Sequence, residues 1–352
     1  MNRFSMKLTA TVTAAAALIV LLISTDTLFG GADASGAGTK RQSAKAAVSQ
    51  AASSEPLLAS SAPEVSSAPE EPSSAVPAVL TLREERDPSV VKDPTALAAK
   101  LCSPNAILIR LDDGAVLLDK NAGQRIYPAS MTKIMTALLV SEEAQNLDAK
   151  LTIRKSLIDE MNNRDASMAG FLPDEQVSER DLLYGVLLPS GAECCVTLAE
   201  RLESTEQNFV RSMNMKAASL GLKDTHFVNT TGLHDPDHYS TVKDIALLLD
   251  YALKNDTFRK VFTTQSHTSS PTNKHSKGLS FRSTMARCLK SFQAGDATIL
   301  GGKVGYTDDA GLCLASLAEY GGHEYILVTA GVKNVYRGEI QDAVTAYGSL
   351  GK

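Results

Sequence analysis

The chain has 352 residues, of which 43% are hydrophobic and 21% are charged, and its formal net charge is −5. These values are typical of a globular protein, and the mild negative charge makes neither nucleic acid nor an anionic surface an expected partner. Tryptophan is absent and aromatic residues make up only 5%, so stacking platforms for bases or sugars are not expected.

The first 29 residues predict a targeting segment, either a signal peptide or an N-terminal membrane anchor. Arg3 and Lys7 precede an apolar run over residues 8–23, which is short for a membrane span but long enough for a secretory signal. Ala32-Asp33-Ala34 offers a cleavage site, and the sequence leaves cleavage and retention both open. In either case we expect a protein of the cell envelope, outside the cytoplasm, with a membrane contact through this segment if it is uncleaved.

Residues 30–98 predict a disordered linker, and residues 99–352 predict one folded domain. Ser, Ala, Pro and Glu dominate the linker, so it cannot bury enough apolar surface to offset the entropy of ordering. The five cysteines are odd in number and lack the spacing of a disulfide framework. We expect most of them to be small core residues, and a bridge between Cys194 and Cys195 is disfavoured.

Hydrophobic patterning predicts an α+β domain. Residues 106–111 and 115–119 have the pattern of two strands joined by a tight Asp-Gly turn. Three further strands, forming an antiparallel meander, are predicted near the end of the chain at 298–307, 311–318 and 325–332. Helical patterns fill the region between these two groups of strands, so the sequence predicts an antiparallel sheet flanked by helices.

Two of the predicted helices have a short connection between them. The first covers residues 178–188 and begins at a capping box headed by Ser178, and the second covers residues 194–202. Ser190 lies in the connection, where it is either an ordinary turn and capping serine or a hydroxyl presented to a cleft.

Ser130 and Lys133 place a hydroxyl and an amine three residues apart at the predicted start of another helix. The apolar residues that follow lie on one helical stripe, formed by Met131, Ile134, Met135, Leu138 and Leu139. A serine needs a base within hydrogen-bond reach to act as a nucleophile, and a desolvated lysine of lowered pKa can be that base. By itself the pattern is weak, because serines are common at helix starts.

The same four-residue pattern occurs again at Ser240 and Lys243. There Thr241 and Asp244 form a capping box ahead of an apolar run, which indicates an ordinary helix start. We therefore expect this second copy to be structural.

A polar loop over residues 227–240 contains His234, Asp235 and His238, which raises the alternative of a metal site. Pro236 breaks helical spacing between the two histidines and no third group of ligands is evident, so hydrogen bonds within the loop are favoured. Near the end of the chain, Lys303-Val304-Gly305 is either an ordinary strand end or an anion site beside a backbone that a substrate can approach closely.

These weak signals gain specificity from their order. Ser130-x-x-Lys133, then Ser190-Gly191, then Lys303-x-Gly305 resembles the motif series of the penicillin-recognising serine enzymes. Together with the stretches 127–137, 227–240 and 301–316, it is similar to the low-molecular-weight penicillin-binding proteins that are serine D-alanyl-D-alanine carboxypeptidases. The resemblance implies a penicillin-recognising fold, with an antiparallel sheet, an all-helical lobe and a cleft between them.

The resemblance also implies an activity: removal of the terminal D-alanine from peptidoglycan stem peptides through an acyl-enzyme. Ser130 would be the nucleophile, Lys133 its base and Ser190 a proton relay. Substrate would be held by four residues of the third motif and its surroundings, namely Lys303, Gly305, Tyr306 and Thr307. The amides of Ser130 and Tyr306 would form the oxyanion hole, β-lactams would acylate Ser130, and neither metal nor organic cofactor is implied.

Two positions depart from the family pattern. Ala192 stands where the second motif has asparagine, and Val304 stands where the third has threonine. Glu193 and Thr307 are the nearby candidates to replace the lost polar groups. The alternative to an active enzyme is therefore a catalytically weakened relative that still binds penicillin or wall peptides, whereas β-lactamase activity is disfavoured because no loop with a separate deacylating glutamate is evident.

Overall fold

The central element is a six-stranded antiparallel sheet with strand order β2-β1-β10-β9-β8-β7. The computed structural model describes residues 78–83, 89–289 and 291–352, all within the unit Pro72–Lys352. Its strands in chain order are β1 Asn105–Arg110, β2 Val116–Lys120, β3 Lys150–Thr152, β4 Gln176–Ser178, β5 Ser266–Thr268, β6 Ser280–Arg282, β7 Gln293–Ala294, β8 Ala297–Thr307, β9 Gly311–Tyr320 and β10 His323–Val332.

Ten α-helices and one 3₁₀ turn at Ala129–Thr132 complete the part of the chain that the structure describes. The helices are α1 Pro94–Lys100, α2 Lys133–Glu143, α3 Lys155–Asn163, α4 Glu179–Leu187, α5 Ala192–Glu203, α6 Glu206–Ser219, α7 Val242–Leu253, α8 Asp256–Thr263, α9 Thr284–Cys288 and α10 Gly338–Tyr347. The prediction of an α+β domain with an antiparallel sheet is confirmed.

The two ends of the domain meet in the sheet. The predicted hairpin β1–β2 and the predicted meander β8–β9–β10 both form, and β1 pairs with β10 in the register Ile107 to Val328. Alternate residues of each strand face opposite sides of the sheet. One face packs against the helical lobe through residues such as Ile107 and Val328, and the other packs against α1 and α10 through Leu108 and Leu327.

The expected capping residues begin their helices. Ser178 accepts a hydrogen bond from the amide of Asp181 at the start of α4, and Thr241 accepts one from the amide of Asp244 at the start of α7. Lys243 is exposed. The second Ser-x-x-Lys copy is therefore an ordinary helix start, as predicted.

The predicted linker extends too far toward the C-terminus. Residues 94–98 belong to α1, and Val91 and Leu97 are buried in the cluster on the outer face of the sheet. The stretch is too short for a periodic apolar pattern to predict that Val91 and Leu97 are buried. The rest of the linker up to residue 77, like the targeting segment, lies outside the described residues.

None of the helices in the described ranges is long and apolar enough to cross a membrane. All five cysteines are free thiols, and Cys194, Cys195 and Cys313 are buried. The expectation that most cysteines are small core residues is confirmed.

Candidate active site

Ser130 lies on the 3₁₀ turn that leads into α2, not on the α-helix itself. Residues three apart eclipse one another in a 3₁₀ turn, which aligns Lys133 directly over Ser130. The Lys133 Nζ lies 3.1 Å from the Ser130 Oγ. Ala129 has a φ of 45°, a left-handed conformation that costs a residue with a side chain about 1–2 kcal/mol. This strained backbone immediately before Ser130 turns the hydroxyl out of the core.

Lys133 is buried and has no ion-pair partner among the described residues, which is unusual for a lysine. Burial lowers the pKa of Lys133. Its Nζ also donates a 2.6 Å hydrogen bond to the backbone carbonyl of Thr231. A neutral amine that donates to this carbonyl keeps a lone pair to accept the proton of Ser130.

A second serine–lysine pair forms between the two lobes. Ser190 is held in the turn between α4 and α5 with a φ of 72°, and its Oγ accepts a 2.9 Å hydrogen bond from the Lys303 Nζ. The same Nζ donates to the carbonyl of Val304. Burial lowers the pKa of Lys303 well below the ordinary lysine value, and the electrostatic effect of the neighbouring Lys133 acts in the same direction.

Gly305 lets the cleft-edge strand β8 meet the Ser130 turn. A Cβ on Gly305 would lie 2.9 Å from the amide nitrogen of Ser130 and 3.1 Å from the carbonyl oxygen of Pro128. The first contact is shorter than real Cβ atoms make and the second is tight, so a side chain here would push the turn away from the strand.

The cleft beside Ser130 has a volume of about 490 Å³. Tyr306 and Thr307 line it, with Tyr306 59% exposed and its hydroxyl donating to Asp308. The Thr307 hydroxyl accepts from the amide of Ala310. The structure thus brings all seven predicted site residues to one region, but their roles in binding and catalysis remain predictions.

The two departures have different surroundings. Ala192 lies on the wall of the cleft, so its lost polar group changes the cleft directly. Val304 is not among the residues lining this cleft, and its side chain is half-buried against the cluster on the outer face of the sheet.

Glu193 does not point at the nucleophile. Its Oε1 accepts hydrogen bonds from the amides of Ala169 (2.8 Å) and Gly170 (3.0 Å), and burial raises its pKa. The carboxyl group therefore anchors the adjoining segment and does not take the place of the missing asparagine.

Of the two histidines of the loop, His238 holds it in place through hydrogen bonds and His234 lines the cleft. His238 is buried, with its Nε2 2.8 Å from the Thr132 Oγ1 and its Nδ1 accepting from the amide of Val228. Burial lowers the pKa of His238 to about 4, so the ring is neutral and can accept at Nδ1. His234 lies 3.6 Å from an oxygen of Asp309 across the cleft. Among the described residues no group of three or more His, Cys, Asp or Glu side chains could hold a metal ion.

Sequence reasoning missed the contact of Thr231 with Lys133. A backbone carbonyl leaves no signal in the residue type, and the turn that presents it is formed by Asn229, whose side chain caps Gly232 three residues later. An Asn-x-x-Gly segment is typical of a turn, and residues 229–232 have this pattern. It is the one signal in the sequence that could have located the turn.

A sheet against a helical lobe, with one serine–lysine pair at the cleft and a second, buried pair joining β8 to the α4–α5 turn, defines the class of the penicillin-recognising serine enzymes. The family model for D-alanyl-D-alanine carboxypeptidases matches residues 91–334. The chain belongs to this family of serine peptidases.

Relatives in sequence and structure agree with this assignment. The chain is 34% identical over 228 residues to D-alanyl-D-alanine carboxypeptidase DacF of Bacillus subtilis, covering 64% of this chain and 57% of that relative. It is 33% identical over 222 residues to the D-alanyl-D-alanine carboxypeptidase of Streptomyces sp. strain K15, covering 60% of this chain and 75% of that relative.

The crystal structure of the Streptomyces K15 DD-transpeptidase is similar, with a TM-score of 0.63 and 29% identity, covering 71% of this chain and 97% of that one. The chain thus spans a little over half of the Bacillus relative and three quarters of the Streptomyces one.

Proposed function

We propose that this protein is a serine D-alanyl-D-alanine carboxypeptidase that removes the terminal D-alanine from peptidoglycan stem peptides outside the cytoplasm. The observation that carries the proposal is the Ser130–Lys133 pair, 3.1 Å apart at an open cleft, in a chain of this family. No metal or organic cofactor takes part in the proposed reaction.

The proposed reaction is a two-step acyl transfer. The Ser130 Oγ bonds to the carbonyl carbon of the penultimate D-alanine while neutral Lys133 accepts the hydroxyl proton. The peptide C–N bond then breaks, and terminal D-alanine leaves with a proton passed through Ser190. Water hydrolyses the ester, which releases the shortened peptide and restores the Ser130 hydroxyl.

Binding groups in the proposal come from β8 and from the 3₁₀ turn that carries Ser130. The amides of Ser130 and Tyr306 stabilise the oxyanion, and Tyr306 and Thr307 contact the peptide at the wall of the cleft. The substrate's terminal carboxylate favours the charged form of Lys303, whose pKa burial otherwise lowers. Gly305 supports this arrangement because it lets the strand approach the Ser130 turn. A β-lactam occupies the same cleft and acylates Ser130.

The test is release of D-alanine from diacetyl-Lys-D-Ala-D-Ala. We expect the wild-type protein to release it and Ser130→Ala to release none, whereas Ser240→Ala, which removes the serine of the second Ser-x-x-Lys copy, retains the activity. Mass spectrometry after penicillin treatment should show a long-lived acyl adduct in the wild type and none in Ser130→Ala. The proposal would be wrong if the wild type released no D-alanine and formed no adduct. Rapid penicillin turnover would indicate a β-lactamase.

A second candidate is a weakened relative that binds penicillin or wall peptides without useful turnover. Ala192 motivates it, because the cleft wall lacks the polar group of the family's second motif. A stable adduct without D-alanine release would favour this candidate.

Restoring that group should accelerate the reaction. We expect Ala192→Asn to raise the rate of Ser130 acylation about tenfold, since a buried polar contact contributes about 1–3 kcal/mol. Ala192→Val is the matched control, because it adds side-chain volume without an amide. If both variants acylate no faster than the wild type, the departure at Ala192 does not limit the reaction.

A further inference from the structure

The buried side chain of Asn229 makes most of the side-chain hydrogen bonds in the turn Asn229–Gly232. The Asn229 Oδ1 accepts hydrogen bonds from the Thr231 amide (3.1 Å), the Thr231 hydroxyl (3.1 Å) and the Gly232 amide (2.7 Å). Its Nδ2 donates to the carbonyl of Leu233 at 2.9 Å. A carboxamide can close a turn from both sides in this way because it carries an acceptor and a donor on one rigid plane.

This turn contacts both members of the Ser130–Lys133 pair. The Thr231 carbonyl accepts the 2.6 Å hydrogen bond from the Lys133 Nζ. Gly232, with a φ of 79°, lies so close to the Ser130 turn that a Cβ on it would be 1.8 Å from the Ala129 carbonyl oxygen. The position of the turn therefore determines where the amine lies relative to the Ser130 hydroxyl.

The direction of the lysine lone pair depends on this carbonyl. A neutral amine has two protons and one lone pair, so donating one proton to Thr231 limits how the group can rotate. The Ser130 Oγ, 3.1 Å away, is then in place for the lone pair. Ala192 also lines the cleft, but its methyl group cannot hydrogen-bond to Lys133.

We propose that Asn229 is a positioning residue that orients Lys133 through the Thr231 carbonyl. In this chain the second motif cannot orient Lys133 by a hydrogen bond, because it has Ala192 in place of asparagine. The proposal rests on the proposed acyl transfer at Ser130. The Asn229 side chain hydrogen-bonds to Thr231, Gly232 and Leu233 and not to Ser130 or Lys133, and the residue is only 7% exposed.

Other contacts hold the loop to the domain without Asn229. Thr230 hydrogen-bonds to Glu206 through both its amide (2.9 Å) and its hydroxyl (2.7 Å), and its carbonyl accepts from the Thr136 hydroxyl. Asn214 fixes the start of the loop through the amide and carbonyl of Phe227. Loss of Asn229 should therefore loosen the turn while the domain stays folded.

The first measurement is the rate of Ser130 acylation by penicillin, followed by mass spectrometry. We expect Asn229→Ala to acylate roughly 10- to 100-fold more slowly, because small displacements of reacting groups have effects of that size. Asn214→Ala is the matched control: it removes three hydrogen bonds, against four for Asn229→Ala, and two of the three go to the same loop, but at Phe227 and not at the turn. It should acylate at the wild-type rate once corrected for the folded fraction.

The second measurement does not depend on catalysis. Titration of ¹³Cε-labelled lysines by NMR reports the pKa of Lys133, whose signal is the one absent from Lys133→Met. In Asn229→Ala we expect that pKa to rise toward the ordinary value, because water reaches the amine and relieves the burial that lowers it. Asn214→Ala should leave it unchanged.

The outcomes separate the two proposals. If the wild type forms no adduct, the acyl transfer fails, while the lysine titration still decides whether Asn229 orients Lys133. If the pKa of Lys133 is the same in Asn229→Ala as in Asn214→Ala, Asn229 is a structural residue only and the inference is overturned. The same conclusion follows if the wild type acylates and the two variants acylate at the same rate.

Discussion

Replacing Lys133 by methionine is expected to slow acylation of Ser130 by penicillin about 100- to 10,000-fold, the usual contribution of a general base. Methionine has nearly the length of lysine and suits the buried position, but it cannot accept a proton. The Thr231 carbonyl loses its donor in the variant, so a modest loss of stability accompanies the loss of rate. The measurement is the time course of the acyl adduct by mass spectrometry.

The pH dependence gives the same prediction a second readout. Lys133 acts as a base only when neutral, so the wild-type acylation rate should rise with pH and level off above the pKa of Lys133. Because burial lowers that pKa, the plateau should begin below the ordinary lysine value of about 10.4. This rising limb should be missing in Lys133→Met.

Lys243→Met is the matched control, since Lys243 occupies the same place in the second Ser-x-x-Lys copy and is exposed. It should acylate at the wild-type rate with an unchanged pH profile. Wild-type rates in a folded Lys133→Met protein would show that another group removes the proton from Ser130.

Replacing Gly232 by alanine is expected to damage both stability and acylation. The residue has a φ of 79°, and its new Cβ would lie 1.8 Å from the Ala129 carbonyl oxygen, so the turn and the Ser130 backbone cannot both keep their places. We expect the midpoint of urea unfolding to fall and acylation to slow by about 100-fold or more, because Ser130 and Lys133 are displaced relative to each other.

Gly221→Ala separates the collision from the backbone strain. Gly221 has a similar φ of 71°, but a Cβ there would meet nothing within 4 Å. This control should lose about 1–2 kcal/mol of stability from the left-handed conformation alone and keep its acylation rate. Equal effects of the two substitutions on stability and acylation would show that the close contact at Gly232 is not required.

Periodic patterns over many residues were sufficient to predict most of the fold. The strands β8, β9 and β10 are long apolar runs separated by Asp and Gly turns, and they form the predicted meander. The caps Ser178 and Thr241 are local, since each hydroxyl bonds to an amide three residues ahead. Local chemistry of this kind is readable before any tertiary contact is known.

The apolar stripe that follows Ser130 correctly predicted helix α2, but it did not predict how completely the helix is buried. Its first eight residues are buried, including Lys133 and Thr136, so the helix is surrounded on all sides and not buried along one face. A polar residue in a helical pattern normally predicts a solvent-facing position. In α2, Lys133 hydrogen-bonds to Thr231 and Thr136 hydrogen-bonds to Thr230, which compensates the burial of these two polar side chains. Both hydrogen bonds join residues more than 90 positions apart.

The sequence by itself determined the spacing of Ser130 and Lys133, the order of the three motifs and the hydrophobic pattern of the sheet. Only the tertiary structure decided that Lys303 hydrogen-bonds to Ser190 and that Glu193 points at the amides of Ala169 and Gly170. The physical reason is range: caps and periodicity act within one or two turns of chain, whereas the burial that lowers the pKa of Lys133 is created by segments brought together only when the domain folds.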